Sequence, residues 1–121
     1  MDVRKLFRSF RYAWRGIVHA FGREQNFRFH VLAALIVTAA GWVTGLSTSE
    51  WLIVILLFGG VFALELVNTA IERVVDLVSR EHHPLAGQAK DVAAGAVLAF
   101  AVASAVIGCI IFIPKWMNLL F

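Results

Sequence analysis

Apolar and polar positions follow two patterns along this chain. From Val3 to Phe21 the apolar residues Val3, Leu6, Phe7, Phe10, Ala13, Trp14, Ile17, Val18 and Phe21 recur at helical spacing. Arg4, Lys5, Arg8, Arg11 and Arg15 take the remaining surface. The spacing predicts an amphipathic helix over about residues 3–22. Trp and Phe beside basic residues suit a helix lying on a membrane among anionic headgroups, and a soluble-type helix packed on a partner shows the same periodicity. Beyond it the charges vanish: Phe29 to Ser49 and Val92 to Pro114 contain no Lys, Arg, Asp or Glu, and Trp51 to Ile71 is broken only by Glu65 and Asn68. A bilayer crossing takes about 20 apolar residues. The expected architecture is therefore an all-α membrane protein: the surface helix and three transmembrane helices, over about 29–49, 51–78 and 91–114, in one integral-membrane domain of residues 1–121.

The connections differ in charge. "TGLSTSE" supplies Gly and small hydroxyl residues before the interfacial Trp51. "REHHPLAGQAK" carries Arg80 and Lys90, and Pro84 is expected to end any helix there, so that the third span opens at Lys90 and Asp91. Arg4, Lys5, Arg8, Arg11, Arg15, Arg23 and Arg28 all precede the first span. By the positive-inside rule the N-terminus and the second connection are cytoplasmic; Lys115, at the outer end, is the one exception.

Composition agrees: 60% of residues are hydrophobic and 16% charged, against about 25% charged in soluble proteins, and mean hydropathy is +0.80. No cleavable signal peptide is expected, because a long basic segment precedes the first apolar run. Cys109 is the only cysteine, which excludes an intrachain disulfide or a cysteine zinc cluster and fits plain packing. A nucleic-acid role would need a soluble domain to present the basic patch. Gly95, Ala99 and Ala103 form a small-residue stripe suited to close helix packing.

The candidate chemistry lies in "ELVNTAIERVVD". At about 100° per residue, Glu65, Asn68, Thr69, Glu72 and Asp76 fall within one arc of about 100°. Glu65 lies somewhat inside the boundary of the bilayer and Glu72 at it, two turns or about 10 Å further along. The deeper, partly desolvated carboxylate suits a general base and the shallower one a hard cation such as Mg²⁺, which takes one or two carboxylates plus phosphate oxygens. A polar face buried in a bundle, or an acid path for protons or cations through a transporter, accounts for the same stripe. Glu24, the only acid in "FGREQNFRFH", is either a partner for the arginines or a ligand, and Arg28 and His30 read as positive-inside anchors. Lys90 and Asp91 are either an anchor and a helix N-cap or a phosphate-receiving pair. His82 and His83 are adjacent, point apart on a helix and make a poor paired metal site; a loop role or a contact to a base or phosphate suits them better. No P-loop pattern is present.

"ELVNTAIERVVD" followed by "HHPLAGQAKDVAAGAVL", with "FRYAWRG" and the acid of "REQNF", resembles the integral-membrane diacylglycerol kinase family of prokaryotes over nearly the whole chain. The resemblance implies a homotrimer with composite active sites between subunits at the cytoplasmic face of a bacterial inner membrane, phosphorylating a lipid alcohol with ATP and Mg²⁺. It implies Glu65 as general base, Asn68 as its orienting partner, and Glu24 and Glu72 as metal ligands. Lys90 would meet the ATP phosphates with Asp91 nearby, and Lys5, Tyr12, Glu81, His82 and His83 would line the nucleotide site. Lys5 and Ala94 depart from the Arg and Ser of the diacylglycerol enzymes. "REQNFRFH" and "HHPLAGQAKDVAAGAV" look closer to the undecaprenol kinase branch, so undecaprenol is the preferred acceptor and diacylglycerol the alternative. A small transporter subunit and a noncatalytic membrane anchor are the readings from other classes.

Overall fold

A computed structural model describes residues 1–121. It is all-helical: α1 (Val3–Arg23), α2 (Gln25–Thr44), α3 (Thr48–Val78) and α4 (Pro84–Leu120). Each boundary has a local cause. The Asp2 side chain accepts from the backbone N–H of Arg4 at 3.0 Å and of Lys5 at 3.4 Å, capping α1. Glu24, extended at φ −105° and ψ 113°, is the single residue between α1 and α2. Arg28 serves this break: its Nη1 donates to the carbonyls of Phe21 and Gly22, each at 3.1 Å, satisfying acceptors that the end of α1 leaves open. Gly45, at φ 81°, ends α2 in the left-handed conformation that glycine adopts without strain. Ser47 and Glu50 then start α3 with a reciprocal capping box, Glu50 N–H to Ser47 Oγ at 3.2 Å and Ser47 N–H to Glu50 Oε1 at 2.9 Å.

The fourth helix corrects an expectation. Pro84 starts α4 instead of ending a helix, and Lys90 and Asp91 lie inside it, so Asp91 is not an N-cap. The steric rule holds one residue earlier, where His83 is extended at φ −128° and ψ 134°. Proline suits the first helical turn because its missing N–H has no intrahelical partner there. His83 is the cap, its Nδ1 accepting from Leu85 N–H at 3.1 Å.

Helix α3 is the centre of the packing and touches the other three helices. It meets α4 tightly at Gly60, where an added Cβ would overlap the ring of Phe100. Gly41 does the same for α2, since a Cβ there would meet Trp51 Cη2 at 2.7 Å. The stripe of Gly95, Ala99 and Ala103 plays no part in packing within the chain and faces outward; α4 instead buries Ala93, Val97, Ile111 and Phe112. Val54, Ile111 and Phe112 form the core cluster, with the rings of Phe112 and Trp116 5.3 Å apart.

Only 12 of 121 residues are buried within the chain, so most of its apolar side chains face outward. That surface suits lipid, not water. α2, α3 and α4, of 20, 31 and 37 residues, are each long and apolar enough to cross a membrane.

Candidate active site

The central place of α3 turns its polar stripe into the bundle. Glu65, Asn68 and Thr69 are the buried polar residues of the chain, at 3%, 6% and 7% exposure. The stripe grades outward from there, Glu72 being half-buried and Asp76 exposed. Asn68 Nδ2 donates to Glu72 Oε1 at 3.3 Å, as the spacing of four residues allows. Asn68 Oδ1 is buried with no donor. Elsewhere in the apolar helices such groups are satisfied locally: Thr38 Oγ1 donates to Ala34 O at 2.7 Å and Ser104 Oγ to Phe100 O at 2.8 Å. An unmatched buried acceptor costs about 1–3 kcal/mol, which marks this point of the stripe as unfinished within the chain. Glu65 takes part in none of the chain's ion pairs. His30, Glu72 and Glu24 all lie within electrostatic range of its carboxylate.

One turn before Glu65 on α3, Val61 and Phe62 line the end of an apolar groove of about 500 Å³ between α2, α3 and α4. It runs from Phe29 and His30 to Phe112, Ile113 and Trp116, and 15 of its 18 lining residues are hydrophobic. It also takes in Cys109, which is exposed and not a packed core residue. A hydrocarbon chain fits such a lining, and the groove's His30 end adjoins the buried polar residues.

Two ion pairs flank the stripe. Arg73 Nη2 donates to Glu24 Oε1 at 2.8 Å, tying the α1–α2 break to α3. Lys90 Nζ donates to Asp76 Oδ1 and ties the start of α4 to the end of α3. Glu24 is thus paired with an arginine of α3 and with none of the arginines of α1.

The structure brings Glu24, Glu65, Asn68 and Glu72 into one neighbourhood and sets Lys90 beside the outer end of the same stripe. The remaining candidates stand apart from it. Lys5 and Tyr12 are exposed on α1, with no side-chain hydrogen bond to α3 or α4. Glu81 and His82 are exposed in the connection before α4, where the Glu81 carbonyl accepts from Ser79 Oγ at 2.9 Å. His83 is occupied as a cap, and Asp91 points to the exposed side of α4.

Three contacts lie beyond what the sequence pattern shows. His30 is more than an anchor, since it lines the groove at the end that adjoins the buried polar residues. Arg73, to which the sequence pattern gives no role, reaches Glu24, 49 residues away. Asp76 and Lys90 were both singled out from the sequence, but not as partners of each other.

Comparison with known proteins gives the same picture along the length of the chain. Residues 11–112 match the family described as prokaryotic diacylglycerol kinase. The chain is 53% identical over 114 residues to an undecaprenol kinase of Bacillus subtilis, covering 94% of this chain and 93% of that one. It is 42% identical over 113 residues to a diacylglycerol kinase of Synechocystis, covering 93% of this chain and 65% of the other. Against a diacylglycerol kinase of Escherichia coli it is 34% identical over 103 residues, covering 83% of this chain and 82% of the other. The chain belongs to the prokaryotic diacylglycerol kinase family.

Proposed function

We propose that the chain transfers the γ-phosphoryl group of ATP to the hydroxyl of undecaprenol, giving undecaprenyl phosphate and ADP. The observation that carries this reading is the placement of buried Glu65 and Asn68 one turn beyond the end of an apolar groove. A long lipid alcohol lies in the groove with its hydroxyl at Glu65. Undecaprenol is favoured because the relative matched at 53% identity is an undecaprenol kinase.

Phosphoryl transfer needs positioning and neutralisation of phosphate charge more than covalent help from the protein. Glu65 takes the hydroxyl proton as the lipid oxygen bonds to the γ-phosphorus and the bond from that phosphorus to the ADP oxygen breaks. Asn68 orients Glu72 through its amide N–H, and its free Oδ1 accepts from a donor on the substrate side. Lys90, close to the start of α4, exchanges Asp76 for the triphosphate, with Asp91 beside it. Lys5, Tyr12, Glu81, His82 and His83 approach the nucleotide from α1 and from the connection before α4.

Glu24 and Glu72 are the residues to hold Mg²⁺. The donor set fits: both offer hard carboxylate oxygens, and Glu24 already accepts a cation. Mg²⁺ characteristically takes one or two carboxylates and completes its shell with phosphate and water. When bound it neutralises charge on the β- and γ-phosphates.

The site works where water and lipid meet. α1 lies on the cytoplasmic surface of a bacterial inner membrane with its arginines among the headgroups, and residues 1–121 form one domain of a homotrimer whose active sites lie between subunits. The outward apolar faces leave room for such an assembly.

The diacylglycerol kinases among the relatives favour diacylglycerol as a second reading. The deciding experiment supplies purified protein with labelled ATP and Mg²⁺ in mixed micelles holding equal amounts of both lipids. Mainly undecaprenyl phosphate is expected. Mainly phosphatidic acid would transfer the chain to the second reading, and no labelled lipid would remove both.

A further inference from the structure

Glu24 is the only residue between α1 and α2, and its carboxylate already carries a cation. The Arg73 guanidinium that reaches it across 49 positions of sequence comes from the residue immediately after Glu72. Of the arginines beside the break, Arg23, next to Glu24 in sequence, makes no ion pair with it, and Arg28 is committed to the carbonyls of Phe21 and Gly22 and cannot exchange for Arg73 without uncapping α1. Arg73 is the one that is free to move: its side chain is 49% exposed, against 22% for Glu24.

A guanidinium and a small divalent ion compete for such a carboxylate. Mg²⁺ demands oxygen ligands at about 2.0–2.1 Å in near-octahedral array. If the ion took the second oxygen of Glu24, a guanidinium still on Oε1 would place a like charge a few ångströms away and oppose it. The two cations therefore exclude each other, and an exposed pair, whose typical contribution is small, yields readily.

We propose that Arg73 is the resident counter-cation of the divalent site, holding Glu24 against α3 beside Glu72 until a divalent ion takes its place. The proposal rests on the assignment of Glu24 to the metal made above. Arg73 is a positioning residue here. It keeps the acid of the α1–α2 break at α3 when no ion is bound, at the cost of weaker ion binding.

The test uses full-length protein in phospholipid nanodiscs without nucleotide, titrated with Mn²⁺ and followed by water-proton relaxation. Arg73→Gln, with Arg73→Met as a second neutral variant, is expected to tighten Mn²⁺ binding about two- to fivefold, the range set by an exposed ion pair. Arg73→Lys keeps the charge and stays near wild type. In a Glu24→Gln background the gain disappears. Unchanged affinity in both neutral variants, with Glu24→Gln still weakening Mn²⁺, overturns the proposal and leaves Glu24 as a ligand. If Glu24→Gln has no effect, the metal assignment fails and the proposal with it. An equal gain in the Glu24→Gln background reveals a general field effect and overturns the exchange, as does a wild type that retains no Mn²⁺ at millimolar concentration.

Discussion

The two ends of the bundle treat polar groups in opposite ways. At the Trp116 end they close on one another: Lys115 Nζ meets Glu50 at 2.9 Å, Trp116 Nε1 donates to Thr44 Oγ1 at 2.9 Å, and Ser47 and Glu50 cap each other. The core cluster of Val54, Ile111 and Phe112 lies beside them. At the Glu65 end a carboxylate and an amide are buried with Asn68 Oδ1 unmatched, and the nearby ion pairs, Glu24 with Arg73 and Asp76 with Lys90, sit where water and ligands reach them. One end spends its polar residues on holding three helices together. The other keeps them for something outside the chain. A transporter path would ask for free acids along the whole crossing; here the one acid at the Trp116 end, Glu50, is tied to Lys115 and to its own helix cap, and the buried acid lies at the other end with Lys90 nearby, as phosphoryl transfer to a lipid requires.

The largest break in that contrast comes from neutralising the buried acid. Glu65→Gln is expected to lower phosphoryl transfer by about 10²–10⁴-fold, the usual contribution of a general base, while thermal stability and particle size remain. Radiolabel transfer and size-exclusion chromatography in the same detergent separate the two. Full turnover in this variant would strip Glu65 of its role. Asn68→Ala comes next: without the amide, Glu72 loses its 3.3 Å partner, and misplacement of this kind costs about 10²-fold in rate. A variant that loses activity only by unfolding would place Asn68 on the structural side of the comparison.

How far the sequence discloses this contrast depends on whether a residue's role is local. Glu65, Asn68, Glu72 and Asp76 share an arc in any helix, so their common face was legible before any fold was known. The basic pattern of Val3 to Phe21 likewise predicted a helix and its limits within a residue. Partners distant in sequence were not legible: nothing in "NTAIER" says that Arg73 reaches Glu24, or in "QAKD" that Lys90 reaches Asp76. Pro84 misled because the same steric restriction on His83 is satisfied by ending one helix or by starting another, and only the residues after the proline decide between them. The stripe of Gly95, Ala99 and Ala103 fits close packing in principle, yet the intrachain contact was won by Gly60 under the larger Phe100 ring.

That contact sharpens the comparison, since Gly60 lies between the two ends. Gly60→Ala places a methyl against the Phe100 ring and is expected to cost about 1–3 kcal/mol, read as a lower thermal unfolding midpoint in detergent. Gly59→Ala, with nothing within 4 Å of its new methyl, stays near wild type. Adding Phe100→Leu to Gly60→Ala recovers part of the loss if the overlap is the cause; no recovery would mean that the helix approach is set elsewhere.

The smallest expected effect tests the closed end alone. Thr44→Val keeps the shape of the side chain and removes the acceptor for Trp116 Nε1, leaving the indole N–H without that partner. The loss is about 0.5–1.5 kcal/mol, the ordinary net contribution of one hydrogen bond, and it appears in the unfolding midpoint. Phosphorylation rate at saturating ATP and lipid should not change, because Thr44 lines neither the groove nor the stripe and meets the groove only through Trp116, at the end away from His30. The two readouts together decide the point: a variant that keeps its midpoint but loses turnover would show that the Trp116 end reports to the reacting end through α2, and the division of labour between them would have to be withdrawn.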